Sequence, residues 1–284
     1  MASRLTPTLK VFLRVTQWVR AVMSDDYRST LIAASLLNRP RVKGILVEGA
    51  RLDLLPDGPD GPPRFKIKAA EQASRRSLIS GLLRGRYAWR GYQAVSLATA
   101  QSIDRFTLVA LDDEYPLGTL TVGFDMGKPL GADDAFHVEL DRLRADGARL
   151  CEFTKLAVDP TTATKRVLAA LFHVAYIVAH RVRGFDRLII EVNPRHQRYY
   201  ERMLGMEQLG PQRINRSVNA PAVLLTAPFA FIRDQIAIYG GQPERSSEVR
   251  TLFPFAFSAL QEDQVVERLH AMSNRETFVG DTTI

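Results

Sequence analysis

Cysteine is almost absent from this sequence of 284 residues, since Cys151 is its single example. One thiol cannot form an intramolecular disulfide, and it cannot supply the ligands of a cysteine-rich metal site. We therefore expect no metal site of that kind. A chain with so little cysteine is typical of a reducing compartment, and we expect a cytoplasmic protein.

Long apolar runs are missing from the first 61 residues. A membrane-spanning helix needs about 20 apolar residues, and Arg14 and Gln17 interrupt the run that comes nearest. The segment instead predicts an amphipathic helix with one apolar face, formed by Leu9, Phe12, Leu13 and Val19. Such a helix docks on the rest of the protein or lies on a membrane surface, and both interpretations stay open.

A second apolar helix is predicted around Leu31 and Ile32, ending before Pro40. The turn-forming sequence DGPDGPP then gives the best linker in the chain, at 57–63. We therefore predict a helical N-terminal extension over 1–61, a central domain over 62–240 and a helical C-terminal extension over 241–284.

Charge of one sign is in modest excess, with 38 Lys and Arg against 31 Asp and Glu and a net charge of +7. This excess favours an acidic partner, which would be a nucleic acid, an anionic membrane or an acidic protein. The basic residues are dispersed, and no basic stripe carries interleaved aromatic residues. A nucleic-acid partner is therefore not expected.

The most regular stretch runs from 151 to 206 and alternates strand and helix patterns. A strand over 151–158 ends at Asp159-Pro160, and a helical period follows from 164 to 183. An apolar strand at 188–192 leads to Asn193, which suits a helix N-cap, and Gly205 suits the end of that helix. Strand, helix and strand in this order predict a parallel crossover in a sheet.

Flanking segments add further elements to this α/β pattern. Alternating residues at 106–111 and 117–124 predict a hairpin, and a helix is expected over 136–144. A strand at 222–226 and a helix at 228–239 follow. Ser258 and Gln261 form a capping box for a last helix that covers an acyl pocket or a partner subunit, and the oligomeric state stays open.

The segments EFTKLAVDP, KRVLAALF and EVNPRHQRYYERMLGM resemble the FeeM-type N-acyl amino acid synthases of the GNAT superfamily. These are related to the acyl-homoserine-lactone autoinducer synthases, which take fatty acyl chains from acyl carrier protein. The resemblance is dense over 151–206 and diffuse over about 64–126. It implies a GNAT-like α/β fold with a mixed central sheet flanked by helices.

The resemblance also implies an enzyme that moves a fatty acyl chain from acyl carrier protein to the α-amino group of an amino acid. It implies no bound cofactor, because the donor is a thioester co-substrate, either acyl-phosphopantetheine or acyl-coenzyme A. Two alternatives stay open. One is an acyltransferase that depends on coenzyme A, and the other is a catalytically silent GNAT-like module that binds an acidic acyl carrier.

The turn before the long helix bears on the choice of donor. GNAT enzymes carry glycines there, and their N–H groups bind the coenzyme A pyrophosphate. Residues 161–167 contain no glycine, whereas Lys165 and Arg166 make the helix start cationic. This favours an acidic carrier protein. By the resemblance, N–H groups from Leu156 to Val158 hold the oxyanion and Asn193 belongs to the donor site.

By the same resemblance, Glu152 is the candidate general base and Lys155 its basic partner, because the autoinducer synthases repeat this spacing. Strand alternation places the two on opposite faces, so a bulge is needed to bring both to one cleft. The alternative is a surface salt bridge on an edge strand. Tyr200 is the candidate acid for the leaving thiolate, and Tyr199 is expected to pack.

The segment RYAWRGY occupies the position of the acceptor-side helix and loop in GNAT relatives. Arg86 and Arg90 are candidates for binding the acceptor carboxylate, since a guanidinium matches a carboxylate with two hydrogen bonds. The alternative is that both are solvated surface residues.

Overall fold

The computed structural model of the protein describes residues 30–32, 65–69, 79–83, 104–112, 115–159, 165–267 and 269. The described residues of the N-terminal half contribute four strands to the sheet: β1 (Thr30–Ile32), β2 (Lys66–Ala69), β3 (Arg105–Asp112) and β4 (Tyr115–Phe124). The hairpin of β3 and β4 is confirmed. At Leu31 and Ile32 the prediction of a helix is wrong, because these residues pair with β2 as a strand.

The rest of the chain alternates strands and helices. It contains α1 (Asp133–Ala145), β5 (Leu150–Val158), α2 (Lys165–Tyr176), β6 (Arg187–Val192) and α3 (Pro194–Leu204). Next come β7 (Glu207–Gln208), β8 (Arg213–Asn215), β9 (Ala220–Pro228) and α4 (Phe229–Tyr239). The described chain ends with the short helix α5 (Ser246–Val249), a 3₁₀ turn (Phe253–Phe255) and a helix α6 (259–267).

These strands form a mixed sheet in the order β1-β2-β3-β4-β5-β6-β9-β7, with β8 paired to β9. Adjacent strands run antiparallel except for β5 and β6, which are parallel and are joined through α2. The parallel crossover is thus the one that the alternation of patterns predicted. It brings the carboxyl ends of β5 and β6, and the helices that follow them, to the same edge of the sheet.

The helix after β5 changes its geometry before it ends. It is α-helical to Tyr176 and continues as a π-helix over Ile177–Val182, with Gly184 beyond it at φ +70°. The Nδ1 atom of His180 donates to the carbonyl oxygen of Phe185 at 2.7 Å, which closes the turn into β6. A π-helical turn inside an α-helix is often found beside a functional site.

The two faces of the sheet carry different cores. The larger core lies between the sheet, α2, α4 and the C-terminal segment, and it includes Phe153, Leu171, Phe229, Phe257 and Leu269. A smaller core packs α1 against the opposite face, with Phe136 and Leu140 on Leu150 and Ile189. The segment 252–269 therefore shares the main core of the protein.

Backbone hydrogen bonds connect the C-terminal segment, 252–269, to the elements before it. The N–H of Leu252 donates to Met203 O at 3.0 Å, and the N–H of Gly241 donates to Ala256 O at 2.8 Å. The capping box that opens α6 is confirmed, with the N–H of Ser258 donating to Gln261 Oε1 at 2.9 Å. Among the described residues, no helix has the length and the apolar character needed to cross a membrane.

Candidate functional site

The parallel strands β5 and β6 separate partway along their length. Their pairing runs from Leu150 with Arg187 to Glu152 with Ile189, and no pair follows. Beyond that point β5 continues to Val158 on β4, and β6 continues to Val192 on β9. The backbone edges of the two strands therefore face each other across a gap that opens toward their carboxyl ends.

A bulge lies in β5 beside this gap, as the candidate site required. Thr154 pairs with Thr121 and Ala157 with Thr119, so two residues of β5 stand opposite one of β4. These two residues are Lys155 and Leu156, and Lys155 has φ +52°. Residues other than glycine rarely adopt this left-handed backbone conformation, and such backbone strain occurs preferentially at functional sites. The bulge was predicted between Glu152 and Lys155, and it begins at Lys155, the last residue of that interval.

Glu152 is fully buried and held by two backbone donors. The N–H of Gly131 donates to its Oε2 at 2.7 Å and the N–H of Ala132 to its Oε1 at 2.9 Å. A Cβ on Gly131 would lie 3.2 Å from both carboxylate oxygens, so a side chain there would crowd the carboxylate. The salt-bridge alternative does not fit a buried side chain on a central strand that binds backbone amides.

The environment of Glu152 changes its acidity. Burial raises the pKa of the carboxyl to about 7, although the Gly131 N–H and the charge of Arg105 act in the opposite direction. The nearby carboxylate of Glu191 adds a smaller upward contribution to this pKa. A carboxyl with a pKa near 7 suits proton transfer at neutral pH.

Lys155 is half-buried at the bulge. Burial lowers the pKa of its ammonium, and the positive charge of Arg105 lowers it further. The charge of Arg105 therefore lowers the pKa of both Lys155 and Glu152. The sequence analysis did not identify Arg105 as a site residue.

Helix α3 starts where β6 ends, as predicted. The Oδ1 atom of Asn193 accepts from the N–H of Arg195 at 3.2 Å, its Nδ2 donates to Pro221 O, and Gly205 ends the helix at φ +65°. Tyr200 is half-buried on this helix, with its ring 6.4 Å from that of Phe172. The amide of Asn193 thus has a capping role, and its part in donor binding stays a prediction.

Basic side chains mark the edge of the sheet at which the gap opens. Lys165 is exposed and Arg166 half-buried at the start of α2. Helix α3 presents three exposed basic residues on one face, namely Arg195, Arg198 and Arg202.

The remaining predicted site residues differ in whether the structure describes them. Leu156 and Val158 are half-buried on β5. Arg86 and Arg90 lie outside the described residues.

An apolar cavity lies beneath the gap, inside the main core. Its walls come from β5, β6, α2, α3, α4 and the C-terminal segment, and they include Phe153, Phe172, Leu204, Phe229, Leu252 and Ala256. Phe153 is the first residue of β5 past the last pair with β6. The cavity therefore reaches the point where the two strands separate.

Sequence patterns did not reveal several residues of this site. Gly131, Ala132 and Arg105 reach Glu152 from distant parts of the chain, and only the glycine in the loop before α1 gives a local signal. The contribution of Leu252 and Ala256 to the cavity was likewise not predicted, although the apolar run at 252–257 indicates burial.

Comparisons with known proteins agree with this geometry. A sequence model of the N-acyl amino acid synthase FeeM matches residues 79–228, more than half of the chain. The solved structure of FeeM, from uncultured soil microbes, is 25% identical with a TM-score of 0.53, and the match covers 61% of this chain and 94% of FeeM. No curated protein sequence matches.

Two further solved structures resemble this chain at lower identity and lower TM-score. An acyl-CoA N-acyltransferase from Pseudomonas aeruginosa is 14% identical with a TM-score of 0.41, over 57% of this chain and 97% of that one. The AHL synthase LasI is 13% identical with a TM-score of 0.41, over 59% of this chain and 91% of its own. The mixed sheet flanked by helices is the architecture that was predicted. The chain is an acyltransferase that belongs to the FeeM family of N-acyl amino acid synthases.

Proposed function

We propose that this acyltransferase moves a fatty acyl chain from acyl carrier protein to the α-amino group of an amino acid. The observation that carries the proposal is that β5 stops pairing with β6 just before Phe153, which also lines an apolar cavity. An extended thioester arm fits the gap between these strands, because it can form hydrogen bonds with the facing strand edges. The apolar cavity would then take the acyl chain.

The thioester carbonyl would lie at the bulge. N–H groups aimed at a developing oxyanion stabilise it strongly. Leu156 to Val158 occupy this part of β5 beside the gap. These residues are therefore the proposed oxyanion site.

The exposed cations support a carrier protein as the donor. Lys165, Arg195 and Arg198 follow the carboxyl ends of the two strands that form the gap. An acidic protein that inserts its phosphopantetheine arm would meet these charges at the entrance, and complementary charge speeds association. Coenzyme A would need a pyrophosphate cradle, and residues 161–167 offer no glycine for one.

The reaction needs one net proton release. Glu152, as a carboxylate, accepts a proton from the substrate ammonium, directly or through a water, and the neutral amine attacks the thioester carbon. The C–N bond forms, and the oxygen takes the negative charge. When the tetrahedral species collapses, the C–S bond breaks, the nitrogen loses its second proton and the sulfur receives one from Tyr200. Tyr200 regains its proton from that nitrogen, which leaves an amide and a free thiol.

The donor is tested with matched thioesters. The purified protein is assayed for thiol release with the same acyl chain on acyl carrier protein and on coenzyme A, and mass spectrometry identifies the amide product. We expect efficient transfer from the carrier alone. Equal turnover with micromolar acyl-coenzyme A would overturn the carrier assignment, and carrier binding without any amide product would overturn the proposed function.

A charge-reversal variant tests the docking surface. In Lys165→Glu with Arg198→Glu we expect the KM for acyl carrier protein to rise about tenfold and to depend less on salt. Arg233→Glu is the matched control, because Arg233 is an exposed arginine on α4. An equal effect in the control variant would assign the loss to net charge alone.

A further inference from the structure

A row of side chains crosses three strands on the face of the sheet that carries α1. Arg105 pairs with Gly123 on the next strand, and Gly123 pairs with Glu152 on the strand after it. Residues that pair directly across strands point to the same face. Arg105 and Glu152 are therefore on one face, and the position between them has no side chain.

The guanidinium of Arg105 occupies the space over Gly123. A Cβ at position 123 would lie 3.7 Å from Nε and 3.8 Å from Nη2 of Arg105, and 3.8 Å from the carbonyl oxygen of Glu152. The arginine thus leans across the glycine toward the buried carboxylate. Its charge lowers the pKa of Glu152, whose hydrogen bonds come from the N–H groups of Gly131 and Ala132 instead.

Lys155 is a second basic residue close to Arg105 and Glu152. The charge of Arg105 also lowers the pKa of Lys155, so the two basic groups are near enough to repel each other. Two half-buried cations beside a buried carboxylate form a site with both signs of charge. The ligand that complements such a site is a zwitterion, with its anionic end on the cations and its cationic end on the carboxylate.

Neighbouring residues make this part of the sheet polar. Thr107 and Thr121 are buried in the next row, their hydroxyls are 2.8 Å apart, and Thr154 pairs with Thr121. Apolar clusters lie on either side along the same face, one around Phe136 and Ile189 and one around Val109 and Ala157. A polar patch between two apolar clusters is unusual for a sheet interior, and it suits a small polar ligand.

We propose that Arg105 and Lys155 bind the carboxylate of the amino-acid acceptor while Glu152 receives its ammonium. The inference rests on the proposed function and adds the residues that recognise the acceptor. In this proposal the carboxylate of the acceptor is bound by Arg105 and Lys155 rather than by Arg86 and Arg90. The arrangement orients the α-nitrogen beside the candidate base and toward the bulge where the thioester would lie.

The test compares two acceptors that differ by one group. All twenty amino acids are first screened with acyl carrier protein as donor, and the best one is paired with the amine that lacks its carboxylate. For each acceptor, kcat/KM is measured in the wild type, in Arg105→Ala and in Arg105→Lys. Arg233→Ala serves as the control, since this arginine is exposed on α4. The readout is the ratio of the two kcat/KM values, which a loss of folded protein does not alter.

We expect the wild type to prefer the amino acid and Arg105→Ala to reduce this preference about tenfold or more, mainly through KM. Arg105→Lys keeps the positive charge but lacks the planar guanidinium that can form two hydrogen bonds with a carboxylate. It should retain an intermediate preference for the amino acid. A preference that is unchanged in both variants would overturn the acceptor site and leave the proposed function standing. If the wild type acylated none of the acceptors, both the site and the proposed function would fail.

Discussion

The Nε2 atom of His173 lies 3.0 Å from Oε2 of Glu262, and both side chains are buried. Nδ1 of the same ring accepts from the N–H of Phe257 at 2.9 Å, so its proton is on Nε2, which donates to Glu262. Glu262 also accepts from Arg181 on the π-helix. One histidine thereby fastens α6 and the segment before it to α2, beside the apolar cavity.

Removing the carboxylate of Glu262 should destabilise the protein. In Glu262→Ala, His173 loses its acceptor in the core and Arg181 loses an ion pair, which we expect to lower the free energy of unfolding by about 2 to 4 kcal/mol. The control is Asp263→Ala, whose exposed carboxylate accepts from the same Arg181 at 3.1 Å. That change should cost less than about 1 kcal/mol. Urea denaturation followed by circular dichroism measures both, and equal losses would contradict the role of Glu262.

Acid should destabilise the folded protein through the burial of His173. Burial lowers the pKa of His173 from its ordinary value of 6.5, so the unfolded chain binds a proton there more readily than the folded protein does. The free energy of unfolding should therefore fall as the pH drops below 6.5. His173→Gln should flatten this part of the pH profile, while its stability at pH 8 reports the loss of packing separately. An unchanged profile in the variant would show that other groups control the acid response.

The catalytic rate should depend on the ionisation of Glu152. Because burial raises the pKa of this carboxyl to about 7, the carboxylate that can accept a proton is lost as the pH falls below 7. We expect kcat with saturating donor and acceptor to decrease below this pH with a slope of one. A rate that stayed level between pH 8 and 5.5 would exclude Glu152 as the base.

Glu152→Gln tests the same residue by substitution. The amide has one oxygen for the N–H groups of Gly131 and Ala132, so one donor faces an NH₂ group and stability should fall by about 1 to 3 kcal/mol. The rate per folded molecule should fall by about 10² to 10⁴. Glu139→Gln is the matched control, because Glu139 is a buried glutamate that binds Arg213 on the same side of the sheet. It should lose stability without losing turnover.

The length of the acyl chain should depend on the C-terminal segment. Ala256 lines the cavity, so Ala256→Leu would place three more carbon atoms in the space proposed for the chain. We expect kcat/KM for the longest accepted chains to fall at least about tenfold, with little change for short ones. Leu260→Ala alters an exposed residue of the same segment and serves as the control. Acylation with an unaltered chain-length profile in Ala256→Leu would place the chain elsewhere.

Tyr200 and Tyr199 are adjacent and can be distinguished by removing their hydroxyls. Tyr200→Phe should lower kcat by about 10² or more if the hydroxyl protonates the leaving thiolate. Tyr199→Phe is expected to leave kcat nearly unchanged, since burial raises the pKa of this phenol and disfavours its ionised form. Thiol-release assays with both variants decide the question. A larger loss in Tyr199→Phe would reverse the assignment.

Local patterns predicted the parts of the fold that local interactions determine. Helix α3 begins after Asn193 and ends at Gly205, as predicted. An N-cap side chain and a left-handed glycine each interact only with the nearest turn of the helix, so the local sequence is enough to predict them. The parallel crossover followed from the order of strand and helix. Thr30–Ile32 shows the limit, because a strand of three residues is defined by its partner β2 rather than by its own sequence.

The site was predictable only where the family resemblance supplied it. Glu152 and the bulge near Lys155 were expected from the resemblance, since the residue types and their spacing are local. The partners of Glu152 were not, because Gly131 is 21 positions away and Arg105 is further still. Long-range contacts of this kind leave no periodic signal in the sequence. The same reason explains why the contact of Glu262 with His173 could not be read from the capping box that precedes it.

The gap between β5 and β6 has a consequence for the energetics of the whole fold. A sheet that stops pairing at Glu152 and Ile189 lacks the cross-strand bonds that would stabilise its centre. The proposed thioester arm would act there as a missing strand, so that donor binding and conformational stability would be thermodynamically linked. A donor at 100 times its Kd should raise the free energy of unfolding by about 2.7 kcal/mol. Cells low in acyl donor would then hold this enzyme in its least stable form.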